Sequence, residues 1–396
     1  MHMRLLPHYS LFESSHFLKN SPESPLWKET AKPVKTPLPV RAITPITSGK
    51  RLSKARSFPR YTGLLLVLLS FWLGGCATSE LGSSGQKKVA GKTFVIVGAS
   101  SGFGRGVAEQ LGAYKANVVL AARRGELLEE IATKIRAAGG TALVVPMDIS
   151  KPKDVQRLTQ AALQQYGKID VWINMAGVGA IGRFWEIPIE DQARIVDINL
   201  KGFIYGSHAA INQFKAQGYG TLINMGSVES VNPLAYHASY AATKGGILNL
   251  GQAINQELRL SGLKKNIRVV TVEPWAVDTP FWGHSANYSG KTARMAIMDP
   301  PSKVVNATIR ASLRGRHEKP VGWKAKSTWV MHRYLPRFSE WLSGNVIHRS
   351  QMRNAAPGPN TSGAAHEPMQ TGRGVEDGVR QRMHEENRQR KQSKNK

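Results

Sequence analysis

The chain has a single cysteine, Cys76, among 396 residues. That count excludes an intrachain disulfide and any metal centre built from clustered cysteines. No metal site is expected, because no other ligand set has the spacing for one. Acidic residues are also scarce: 27 Asp and Glu stand against 54 Lys and Arg, for a formal net charge of +27. An excess of this kind draws in nucleic acid, anionic lipid or a small anionic ligand. Zinc-ligand spacing, a helix-turn-helix signature and an aromatic RNA-binding motif are all missing, so nucleic acid is set aside as a partner. Long apolar runs are missing too. The run Leu64 to Leu73 is too short for a comfortable transmembrane helix. No internal repeat is present.

The composition divides the chain into five stretches. Residues 1–60 are rich in Pro, Ser, Lys and Arg without an apolar period, and read as a disordered or non-native extension. Residues 61–90 are an anchor-like segment and linker. Arg51, Lys54, Arg56 and Arg60 precede the short apolar run, and Gly74-Gly75-Cys76 follows it. Basic flank, apolar core and small residues make a signal-peptide pattern. Its ending resembles a bacterial lipoprotein box, which would place the protein at a membrane. A buried or re-entrant segment in a cytoplasmic protein is the other reading. Residues 91–320 carry regular apolar segments and read as a single well-buried domain. Residues 321–350 place Val330, Tyr334, Phe338, Trp341 and Leu342 at helical steps beside Arg333 and Arg337, interrupted by Pro336. They read as an amphipathic segment that packs on the domain, or on a membrane surface. Residues 351–396 read as a polar, basic, solvated tail.

After Lys92, apolar β-branched runs alternate with amphipathic helices. Strands are predicted at Thr93–Val97, Asn117–Ala121, Ala142–Val145, Ile169–Ile173, Gly220–Met225 and Ile267–Val272. One long helix is predicted from Asp191 to Gln217 and another from Tyr240 to Leu260. Near-continuous apolar strands between helices predict an α/β fold: a doubly wound parallel sheet in three layers. In such a sheet ligands bind beyond the carboxyl ends of the strands.

The first strand runs into Gly98-Ala-Ser100-Ser101-Gly102-Phe103-Gly104 and then a helix. Glycines allow a tight turn, and the helix N-terminus offers N–H groups to a pyrophosphate. The second strand ends at Ala122-Arg123-Arg124. A cofactor lacking a 2′-phosphate usually meets an acidic side chain here. Arginine instead suits a phosphate, so NADP is favoured over NAD. Tyr240 and Lys244 stand four residues apart and share a helix face. An ammonium beside a phenol favours the phenolate, so the Tyr240 pKa is expected to fall below its usual value. A tyrosine tuned in this way exchanges protons with an alcohol or ketone.

In this order, the segments from Lys92 to Thr279 closely resemble the short-chain dehydrogenase/reductase family, whose fold is Rossmann-like. The motifs are the Gly98–Gly104 loop, Asp148 after the third strand, Asn174-Met-Ala176-Gly177, Asn199, Ser227, Tyr240 and Lys244. The resemblance implies that Tyr240 is the acid/base and that Lys244 tunes it and holds the nicotinamide ribose. It implies that Ser227 bonds the substrate oxygen and that Asn199 positions a relay water. Asp148 would meet the adenine. Asn174, Ala176, Gly177, Pro274, Val277 and Thr279 would border the cofactor. Met175 and Trp275 depart from the family pattern. A homo-oligomer is implied as well. The expected activity is interconversion of an alcohol and a carbonyl compound. A non-catalytic nucleotide sensor or a membrane-tethered scaffold on the same fold is the alternative. Phe281, Trp282, His284 and Tyr288, with Tyr236 and His237, make an aromatic-rich segment that either favours an apolar or ring-bearing carbonyl compound or packs as loop residues on the domain.

Overall fold

In the computed structural model, residues 79–314 and 317–394 are described. The anchor-like run and Cys76 lie outside them, as does the 1–60 extension. Among the described residues, no helix is long and apolar enough to cross a membrane, and no three His, Cys, Asp or Glu side chains gather as a metal site.

The elements begin with α1 (Ser83–Val89), β1 (Thr93–Val97), α2 (Gly102–Ala113), β2 (Asn117–Ala122), α3 (Gly125–Ala137), β3 (Thr141–Pro146), α4 (Pro152–Tyr166) and β4 (Val171–Asn174). Next come β5 (Ala180–Ile181), α5 (Ile189–Val196), α6 (Gly202–Gln217), β6 (Gly220–Met225), α7 (Ala238–Leu260) and β7 (Ile267–Pro274). The chain continues through α8 (Phe281–His284), β8 (Ala286–Asn287), α9 (Ser302–Leu313), β9 (Glu318–Val321), α10 (Gly322–Tyr334), α11 (Pro336–Ile347) and α12 (Val379–Lys394).

Among these residues seven parallel strands form one sheet in the order β3-β2-β1-β4-β6-β7-β9. Helices pack against it to make the predicted doubly wound α/β fold. The strand runs lack polar alternation because helices cover the sheet: every residue of β1 and β6 is buried. Phe94, Trp172, Phe203 and Phe214 are the largest fully buried side chains. Strand order reverses between β1 and β4, whose carboxyl ends pair Val97 with Asn174. A crevice opens beyond that switch point.

Three local features differ from the sequence reading. The predicted helix from Asp191 to Gln217 is two helices, α5 and α6, joined by a π-helical turn at Asp197–Lys201. The wide turn carries Asn199, and an apolar period does not reveal such a turn because it keeps the helix going. The amphipathic segment 321–350 is likewise two helices, with Pro336 opening the second. At their junction Tyr334, Leu335, Phe338 and Trp341 stay exposed.

The third concerns residues 351–396, expected to be a solvated tail. Residues 355–374 run across the domain and α12 docks beyond them. The Asp278 carboxylate accepts from the Val379 and Arg380 backbone N–H groups, which caps α12. Val379 and Met383 join a second apolar cluster with Leu234, Trp282, Met295 and Ile347. Low apolar content hid this docking, because most of its contacts are polar and reach distant residues.

Candidate active site

The crevice is lined by the glycine loop, the ends of β2, β4, β6 and β7, and the start of α7. Gly98, Ser100, Ser101, Gly102, Phe103 and Gly104 form its floor. At Gly98, φ is +96°, and a Cβ would stand 2.5 Å from the Ala176 backbone nitrogen. Only glycine lets β1 and the turn after β4 approach so closely. Ala176 and Gly177 therefore face the crevice, as do Pro274, Val277 and Thr279 on the opposite wall.

Arg123, Arg124 and Asp148 line one end of the crevice. Arg124 is buried; its guanidinium donates to Ser100 Oγ at 3.1 Å and Ser101 Oγ at 2.7 Å. Arg123 donates to the Ala364 carbonyl at 2.6 Å and the His366 carbonyl at 2.9 Å. Asp148 accepts from the Ser150 N–H and hydroxyl and from Arg194 at 2.7 Å. Burial pushes this carboxyl up, but the Ser150 bonds and the Arg194 guanidinium outweigh it and hold it below the usual range.

Ser227, Tyr240 and Lys244 meet at the other end. Ser227 stands two residues beyond β6 and caps the short helical turn that follows, and its hydroxyl acts to lower the Tyr240 pKa. Its Oγ also accepts from the Glu229 N–H at 3.1 Å, fixing the rotamer. Lys244 lies one turn along α7 and donates to the Met225 carbonyl at 2.8 Å. Its Nζ is 5.5 Å from the Tyr240 ring centroid and 5.1 Å from that of Phe203.

The expected drop in the Tyr240 pKa is not found. Burial raises it, the Glu229 carboxylate raises it further, and the Ser227 hydroxyl offsets only part. Lys244 is lowered to about 7 by burial, with Glu229 opposing. Desolvation outweighs the helical pairing, and spacing alone carries no information about desolvation.

Asn199 lies behind this cluster, fully buried. Its amide accepts from the Val178 N–H at 3.0 Å and donates to the Val178 carbonyl at 2.8 Å. A Cβ on Gly177 would lie 3.5 Å from Asn199 Oδ1 and 3.8 Å from Lys244 Nζ, so the three converge. Asn174 does not border the crevice. It is fully buried, accepts from Trp172 Nε1 at 2.7 Å and donates to Asn224 at 2.9 Å. Its side chain ties β4 to β6, because a buried amide at a strand end must find partners within the sheet.

On the substrate side, the Phe281 ring centroid lies 5.4 Å from that of Tyr240. Trp275, Trp282 and His284 line the crevice. Tyr288 instead donates to Asp191 at 2.6 Å, away from it. His237 is buried against Glu229, with Nδ1 3.1 Å from Oε1. Sequence reasoning missed Glu229, Leu234 and Met295, and also Ala364, Pro368 and Met369 from the C-terminal segment. Glu229 had a signal: it stands two residues after Ser227. The others have none in local pattern.

The chain belongs to the short-chain dehydrogenase/reductase family. A family profile described as short chain dehydrogenase matches residues 92–288. A 3beta-hydroxysteroid dehydrogenase 1 from Eggerthella lenta is 34% identical over 208 residues, covering 52% of this chain and 77% of its own. The uncharacterized oxidoreductase YxnA of Bacillus subtilis is 29% identical over 284 residues, 71% of this chain and 79% of its own. Among solved structures, a 3-ketoacyl-(acyl-carrier-protein) reductase from Brucella melitensis, complexed with NADH, superposes with a TM-score of 0.51 at 31% identity. That match covers 58% of this chain and 96% of the reductase. An alcohol dehydrogenase from Thermococcus sibiricus shares the fold, with a TM-score of 0.50 at 24% identity over 57% of this chain and 94% of its own. This family member is an NAD(P)-dependent oxidoreductase with a Rossmann-like fold.

Proposed function

We propose that this oxidoreductase uses NADPH to reduce an apolar, ring-bearing ketone or aldehyde, and runs the reverse reaction with NADP. The observation that carries the reading is the convergence of Ser227, Tyr240 and Lys244 in one crevice with the glycine loop and the Arg123–Arg124 pair.

The residues present suit a dinucleotide. The Gly98–Gly104 loop presents the N-terminus of α2 to a pyrophosphate. Arg123 and Arg124 suit a 2′-phosphate, and neither has a carboxylate hydrogen-bond partner among the described residues. Asp148 would border the adenosine, and Ala176, Gly177, Pro274, Val277 and Thr279 the nicotinamide half. When bound, the nicotinamide supplies the hydride.

Tyr240 gives its phenolic proton to the substrate oxygen as alkoxide character develops there. Its raised pKa keeps it protonated at neutral pH, which suits it as the acid in reduction. Ser227 donates to the same oxygen, and the Lys244 ammonium stabilises the phenolate left behind. Asn199 holds the β4 turn against the cluster. Phe281, Trp282, Leu234 and Met295 give the substrate end apolar walls, and the hydroxysteroid dehydrogenase relative supports a ring-bearing substrate.

The test is NADPH consumption by the purified protein over a panel of ketones, aldehydes and oxosteroids. Oxidation with apolar cyclic ketones is expected. Absence of NADPH binding and of turnover across the panel would sink the reading.

A further inference from the structure

The groups best suited to hold the phosphates of a dinucleotide are already engaged by the protein's own C-terminal segment. The Gly102 N–H, at the start of α2, donates to the Gly374 carbonyl at 2.9 Å. Arg124 donates to the carbonyls of Met369 at 3.1 Å and Thr371 at 3.2 Å. Arg123 takes those of Ala364 and His366. Arg194 adds a bond to the Ala365 carbonyl at 3.0 Å, and Arg105 one to the Arg373 carbonyl at 2.8 Å. Ala364, Pro368 and Met369 line the crevice itself.

The path of this segment is written into its sequence. Gly363 and Gly372 have φ of +58° and +63°. A Cβ on Gly372 would lie 2.5 Å from His284 Nε2, and one on Gly363 would collide with the His284 carbonyl. Glycine alone passes there without strain. His284 Nε2 is bonded to the Thr371 carbonyl at 2.9 Å, and His366 Nε2 reaches Asp191 at 2.8 Å. The Asp278 cap on α12 holds the far end. Adjoining Thr279 ties that anchor to the cofactor wall.

We infer that residues 362–374 form an autoinhibitory strap that competes with the cofactor's phosphates for the Gly102 N–H, Arg123 and Arg124. The inference rests on the dinucleotide reading of the crevice. Carbonyls are neutral acceptors, and a phosphate makes stronger charge-assisted bonds to the same guanidinium groups. Both guanidinium groups are also desolvated, which disfavours their charge until an anion arrives. Cofactor therefore displaces the strap, and the closed fraction lowers apparent affinity in proportion. The strap sets the cofactor concentration at which the enzyme opens.

The test uses the full-length protein. Amide hydrogen exchange of residues 362–374 is followed without cofactor and with saturating NADPH, and NADPH affinity is measured by fluorescence for the wild type and Gly372→Val. The inference expects faster strap exchange with NADPH. It also expects tighter binding by the variant, by about fivefold or more, since loosening the strap raises the competent fraction. NADPH binding with unchanged or slower strap exchange would overturn the inference and make the segment a clamp on bound cofactor. Equal or weaker NADPH binding by a folded Gly372→Val would overturn it as well. If that variant does not fold, wild-type exchange decides alone. NADPH binding by neither protein would instead defeat the dinucleotide reading and the strap with it.

Discussion

Lys244 Nζ lies 5.5 Å from the ring centroid of Tyr240 while donating to the Met225 carbonyl. The ammonium is thus tethered to the end of β6 and acts on the phenol through space. Ser227, the other neighbour of the phenol, stands two residues beyond the same strand. The end of β6 and the turn after it position both partners of the tyrosine.

Tyr240→Phe removes the proposed proton donor and leaves the ring packing against Phe281. Turnover is expected to fall by about 10²–10⁴-fold, the usual contribution of a positioned acid. NADPH affinity is expected to stay within about twofold. Steady-state rates and fluorescence titration check both, and a large affinity loss would remove Tyr240 from its assigned role.

Arg123→Ala combined with Arg124→Ala separates the two cofactors. The paired change removes the forked donors suited to a 2′-phosphate. The ratio of kcat/KM for NADPH to that for NADH is expected to fall about tenfold or more, a ratio that release of residues 362–374 leaves unchanged because it acts on both cofactors alike. Equal losses with both cofactors would defeat the NADP preference.

Lys244 carries its charge below about pH 7 and loses it above. Reduction measured as kcat/KM for NADPH should therefore decline as pH rises through about 7. Tyr240, with its raised pKa, remains protonated across that window. Glu229 opposes the effect of burial on Lys244. Glu229→Gln should thus move the declining limb to lower pH, and a limb that does not move would show that another group sets it.

Glu273 is a stability prediction outside the proposed chemistry. It is 1% exposed, and neither carboxyl oxygen has a hydrogen-bond partner among the described residues. Burial, then nearby Glu318, pushes it up to about 8. The folded state binds this proton more tightly than the unfolded state, whose Glu titrates near 4.5. Stability from this group is complete below about pH 4.5 and is lost as pH rises to about 8. Glu273→Gln should flatten that decline, gaining on the order of 4 kcal/mol relative to wild type between pH 5 and 9. Urea unfolding at both pH values measures it.

The sheet and the outline of the site were legible because they depend on short spacings. Runs such as Thr93–Val97 report a strand covered on both faces, and the Gly98–Gly104 spacing reports a turn into a helix. Tyr240 and Lys244 share a helix face by periodicity alone. Asn199 was found by its place in the motif series, but not the π turn that carries it. Asn174 was placed at the cofactor because of its neighbours Ala176 and Gly177, yet its side chain turns into the sheet.

What the sequence by itself determined is local: the alternation of strands and helices, the glycine turn, and which side chains can stand together on one helix. Only the tertiary structure decided how those side chains are charged and whom they meet. Tyr240 is pushed up rather than down because packed neighbours remove water from the phenol, and no spacing encodes that. Arg124 meets Met369 across 245 residues of chain. A contact of that range arises from the path of the whole fold, so a segment whose composition resembled a solvated tail lies across the crevice at the strand ends.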